Sequence, residues 1–244
     1  MQPLSILSGG DTGLFTLVRI GVPSTINELE GRAIKHTNPD HVWDYVQRNH
    51  RNWRSDQIKV LYMTRRHLQD DTSLIVDAKD PDALSDFLVK HFASLKYVRS
   101  IWVLNLAKMR FFKLSMEHPG FFRFTVTIDA LPSHIEQIYE AISDFKPGRD
   151  VMINYIAHTY QPNGASLMVS VLARSRNHME TFVEDCIKTL DGVVDTETTL
   201  ISKTARLVSA EEWEESVGPY FFAPGGESIK DIDPLKDDSL IAGC

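Results

Sequence analysis

The chain has 244 residues, 43% hydrophobic and 24% charged, the make-up of an ordinary globular protein long enough to bury a proper core. Cys186 and Cys244 are its only cysteines, which leaves no material for a disulfide framework or a thiolate metal site. The net charge of −7 belongs to residues 210–244, where nine acids face Lys230 and Lys236; the chain outside that tail is balanced, its basic segment 32–67 (net +5) included, and lacks the footprint of a general nucleic-acid binder.

The opening "MQPLSILSGG" has no basic segment followed by a long apolar one, so no signal peptide is expected. No run of about 18 apolar residues occurs, so no membrane span is expected and the chain reads as cytoplasmic.

In chain order, "LFTLVRI" from Leu14 predicts a first strand, followed by an additional stretch over Val22–Thr37. A helix follows in "NPDHVWDYVQRNHRNW", with Val42, Val46 and Trp53 turned inward and Arg48, Arg51 and Arg54 on a solvated face. "IKVLYMTRRH" and "SLIVDA" predict the second and third strands. Asp80 before Pro81 is an N-cap with proline at the first helical position, and Leu84, Phe87, Leu88, Phe92 and Leu95 then keep helical spacing. "VRSIWVLNL" closes this series as a strand.

The order then repeats. Phe122, Phe124, Val126 and Ile128 alternate with polar residues, a period-2 strand. Ser133 with Glu136 three positions on predicts a capping box opening a helix whose face carries Ile135, Ile138 and Ile142. "DVMINYIAHTY" and "SLMVSV" are strands. Ser175 caps a helix in which Met179, Phe182, Val183, Ile187 and Leu190 repeat the earlier spacing 95 positions later. "VVDTETTLI" ends the second series. "SLMVSV" itself matches "SLIVDA" at an offset of 93, which predicts a loop two residues longer before the second helix.

Strand, helix, strand, strand, helix, strand, twice over, predicts two tandem ferredoxin-like βαββαβ repeats of an α+β fold. Each repeat leaves one sheet face bare, and the sister repeat is the cheapest cover, so the two are expected to pack sheet to sheet as an intramolecular dimeric α+β barrel. The expected division is residues 1–116, residues 117–209 and an acidic tail, 210–244. In the tail, "AEEWEESVG" predicts a short helix anchored by Trp213, and Tyr220, Phe221 and Phe222 are expected to dock on the body or on a neighbouring subunit.

The second copy resembles the effector-binding domain of the Lrp/AsnC transcription regulators in the passage Leu190, Gly192, Val193 and Thr196. The first copy keeps Leu95 and Val98 and has Tyr97 in place of the glycine. No room is left for a helix-turn-helix ahead of Leu14, so the chain is similar to a duplicated effector domain standing alone. That resemblance implies a small, amino-acid-like effector held by the loops after the second strand of each copy. The corresponding candidates are Asp70, Asp71 and Thr72 in "QDDTS", and Asn163, Gly164 and Ser166 in "PNGAS". It also implies self-association and a regulatory, non-enzymatic role, without specific DNA binding by the chain alone.

No catalytic or metal site is expected. The nine histidines include no HxxxH or HExxH pair, no nucleophile–base pair stands out, and Gly225–Gly226 reads as a turn. His91 is expected to pack beside the core, and His67 and His158 to be solvated strand ends. No cofactor is called for. The alternatives are an enzyme of the same barrel class (a small monooxygenase or a haem-handling protein, with its site between helices and sheet) and an adaptor for a partner protein.

Overall fold

The computed structural model describes residues 14–22, 40–53, 57–67, 69, 71–112, 119–145, 148–161 and 164–220. Eight strands form one closed antiparallel barrel: β1 (Leu14–Gly21), β2 (Ile58–Arg66), β3 (Asp71–Ala78), β4 (Ser100–Phe111), β5 (Phe122–Ala130), β6 (Val151–Gln161), β7 (Gly164–Ala173) and β8 (Val193–Arg206). Around the barrel they run β1-β3-β2-β8-β5-β7-β6-β4. The two bare sheet faces have become its interior, as the repeat predicts.

β4 and β8 join the halves because each is long enough to serve both. β4 pairs with β1 through residues 100–105 and with β6 through 106–111, while β8 pairs with β5 through 193–201 and with β2 through 201–206. Going half-way round the barrel from β1 gives β5, which runs in the same direction, so a pseudo-twofold axis lies along the lumen. The pairings set β3 over β7 at an offset of 95, since Ala78 and Ala173 each end their strands opposite equivalent neighbours. The two extra residues of the second copy therefore fall between β6 and β7, not before the following helix.

Helices α1 (Asp40–Asn49) and α2 (Pro81–Leu88) cover one half from outside, α3 (Ile135–Ser143) and α4 (Arg176–Phe182) the other. Their apolar stripes make two outer cores: Val42, Val46, Trp53, Leu84 and Phe87 over the first sheet, and Ile138, Tyr139, Ile142, Met179 and Phe182 over the second. His91 sits beside the first of these, 5.1 Å from the Trp53 ring. Asp80 accepts from Ala83 N at 2.8 Å and Ser175 from His178 N at 3.3 Å, so both predicted caps form. Both capped helices then widen into a π-helical turn, at Val89–Ala93 and Val183–Ile187, a second mark of common construction.

Ser133 does not cap α3. His134 precedes the helix, Ser133 Oγ lies 2.9 Å from the His134 ring, and Glu136 is drawn to Lys108 on β4 instead of back to the cap. The close of the second repeat turns on Gly192 (φ +88°), where an added Cβ would meet His134 Cβ at 2.3 Å.

α5 (Ala210–Val217) opens with a full capping box between Ser209 and Glu212 and drives Trp213 into one end of the lumen. Trp213 is 1% exposed, against Tyr62 and Phe111, and Tyr220 stacks edge-on to Phe15 at 4.9 Å. Phe221, Phe222 and the rest of the tail lie outside the described residues. No helix among the described residues is long and apolar enough to cross a membrane.

Candidate functional site

Bulges decide which side chains face where. β2 and β6 each insert one residue at equivalent places, between Val60 and Tyr62 and between Ile153 and Tyr155. The insertion in β6 turns His158 outward, under α3, and leaves it 3% exposed. It is a buried residue of the helix–sheet cleft, not a solvated strand end. A third bulge lies opposite, between Ala107 and Arg110 of β4, where Lys108 takes a left-handed backbone (φ 47°). That conformation is strained for lysine and is held by Tyr139 Oη donating to the Lys108 carbonyl at 2.6 Å.

These devices gather six chemically active groups in one cleft. The Tyr139 ring stands 4.8 Å from the His158 ring, and Lys108 Nζ and the Arg110 guanidinium lie 4.5 and 5.0 Å from its centroid. Glu136 and Glu140, one helical turn apart, hold Lys108 and Arg110, and the Arg110 hydrogen bond keeps the Glu140 carboxyl below its usual range. His158 Nε2 has no hydrogen-bond partner among the described residues; Glu136 Oε1 lies 3.6 Å away, too long for a hydrogen bond. Burial holds the imidazole below its ordinary pKa, with Glu136 opposing and Lys108 reinforcing the shift, so the ring is neutral at neutral pH.

The first half of the barrel provides an internal control. Under the pseudo-twofold operation His158 falls on Arg65, Glu136 on Asp40, Lys108 on Lys203 and Tyr139 on Trp43. There Asp40 is bonded by both Arg65 and Lys203, which hold its carboxyl below the usual range, and Lys203 lies 5.8 Å from the Trp43 ring. That cluster is a satisfied ion triad. The second copy has exchanged its arginine for a neutral ring with an unmet nitrogen.

The lumen holds a second polar assembly. Its end near α5 is filled by Phe15, Leu106, Met109, Phe111 and Trp213. Towards the other end Arg19, Arg66, Arg123, Ser73, Thr127 and Glu197 surround a void of about 20 Å³. Arg66 Nε reaches both Asp71 carboxylate oxygens at 3.0 Å, and Arg123 Nη1 donates to Ser170 Oγ at 3.1 Å. Between the two ends Tyr62 and its equivalent Tyr155 share a hydrogen bond across the pseudo-axis, and burial pushes both phenols upward.

Of the residues chosen from the sequence, Asp70 and Asn163 lie outside the described residues. Asp71 faces the lumen beside Arg66. Ser166, its equivalent, hydrogen-bonds Thr159 Oγ1 at 2.6 Å at the same mouth, and Thr159 is the equivalent of Arg66. Thr72 is buried on the opposite, helix-facing side, where its hydroxyl has no partner among the described residues. Gly164 opens β7 opposite Gln161. The cleft residues His158, Glu136, Lys108 and Tyr139 were not singled out as a site, although setting the two copies side by side matches Arg65 with His158 and exposes the exchange.

No family profile matches the chain, and no curated protein does. Among solved structures it is similar to a proposed monooxygenase from Lactobacillus acidophilus, at 11% identity and TM-score 0.51, covering 80% of this chain and 96% of that one. A proposed monooxygenase from Fusobacterium nucleatum is similar at 12% identity and TM-score 0.50, covering 80% and 95%. The fold is a dimeric α+β barrel. The barrel expected from the repeated element order stands, and nothing specific to the Lrp/AsnC regulators accompanies it. The expected absence of enzymatic activity is corrected: both of these solved structures, which share the fold, are described as monooxygenases.

Proposed function

We propose that the chain is an enzyme of the dimeric α+β barrel class, of the small monooxygenase type, with its site in the cleft between α3 and strands β4 and β6. The observation that carries this reading is the buried, neutral His158, whose Nε2 is unmet where the equivalent position in the other repeat is a paired arginine. Such a nitrogen can take a proton from a weakly acidic carbon or hydroxyl of a small substrate. Glu136, 3.6 Å away and on the outer lip with 62% of its side chain exposed, steadies the imidazolium that results. The Lys108 and Arg110 cations border the place where the substrate's oxygen would gain charge. An enolate or phenolate formed in this way is electron-rich enough to react with dioxygen, and the monooxygenase description of the two similar structures supports that second step.

The test separates the two steps. Purified protein is offered a panel of enolisable and phenolic compounds, with hydrogen–deuterium exchange at the acidic position followed by NMR under nitrogen and oxygen uptake followed in air. The expected result is catalysed exchange for at least one compound, lowered on the order of 100-fold in His158→Ala. Exchange at the wild-type rate in that variant would sink the assignment of His158.

A further inference from the structure

We propose that the polar half of the lumen binds one compact monovalent anion, a halide or the carboxylate of a small acid, held chiefly by Arg19. The site is separate from the His158 cleft, on the opposite face of the sheet. Arg19 enters the void from β1, and its Nε is buried without a hydrogen-bond partner among the described residues. The other two guanidiniums facing the void are engaged, Arg66 by Asp71 and Arg123 by Ser170. Three guanidiniums against Asp71 and Glu197 leave one positive charge without a counter-charge. A buried N–H without an acceptor is unfavourable, and an anion bound at Arg19 Nε removes that penalty.

Size narrows the ligand. The void is small, about 20 Å³, which suits a halide or a carboxylate head. The hydroxyls of Ser73 and Thr127 line the same void and can complete the shell that a guanidinium begins. The tail of a carboxylic acid would leave by the mouth where Trp102, 57% exposed, lies against Gly21.

The experiment uses the full chain exchanged into halide-free buffer, with ionic strength held constant by methanesulfonate. Bromide, formate and propionate are titrated separately while the melting temperature is followed. A saturable rise of about 3–5 °C at tenfold excess over Kd is expected from bromide or formate. Arg19→Gln should give a flat titration. Without added anion it should melt at or above the wild type, because the unpaired charge is gone. Saturation by bromide assigns a free halide; saturation by formate, tighter with propionate, assigns the head of a small acid. No saturable rise, an equal rise in Arg19→Gln, or an anion-free variant melting well below the wild type would each overturn the proposal.

Discussion

His158 and Arg65 occupy equivalent places, yet only one makes a salt bridge, and the contrast lies in how each meets burial. Arginine stays charged and must be paired, as Asp40 pairs Arg65; histidine can shed its proton and remain buried and neutral. The pH dependence follows with a definite sign. Because the folded state disfavours the imidazolium, the unfolded chain takes up the proton first as pH falls below about 6.5, and folded-state stability drops from there towards the lower folded pKa. Above that window the contribution is complete. Thermal melts between pH 7 and pH 5 should show a steeper loss for the wild type than for His158→Ala. The acid limb of kcat/KM should lie below the ordinary histidine value; a limb at or above about 6.5 would contradict a buried, neutral base. His158→Arg should rebuild the ion triad of the first copy with Glu136, folding well while losing the proton-transfer activity.

At the scale of elements, periodicity located all eight strands and the helices, because each has one apolar face and little to compete with it. The departures are local and share one physical cause, contacts that no spacing rule contains. The bulge in β6 changes which face His158 takes, so simple alternation could not place it under α3. Glu136 has the capping-box position, but Lys108 of a distant strand is a stronger partner than the α3 backbone. Arg19, Arg66 and Arg123 read as scattered charges in three alternating strands until closure turns them into one lumen. Gly192 was legible as a motif residue, and the structure supplies its reason. Its positive φ and the neighbouring His134 leave no room for a Cβ, so Gly192→Ala should destabilise by about 1–3 kcal/mol in urea unfolding. Tyr97, in the first copy, occupies the corresponding turn without appearing among the left-handed residues, so mutating it to alanine should lack that backbone penalty.

For the whole molecule, the barrel has unlike ends. α5 stops one end with Trp213, whose replacement by alanine should cost about 3–5 kcal/mol in denaturant unfolding, with the midpoint lowered. A near-zero change would show that α5 merely rests on the barrel. The other end is polar, and there the covalent joining of the repeats has its largest effect. Two separate identical chains meeting on a twofold axis must present every lumen residue twice, so each arginine would confront its own copy across the channel. Tyr62 and Tyr155 still obey that rule, one hydroxyl meeting its twin. Their neighbours do not: Arg19 is matched by Thr127, Arg66 by Thr159, and Arg123 by Phe15. One continuous chain has released these positions from symmetry, and the channel can carry an odd number of guanidiniums, which no pair of identical subunits could do.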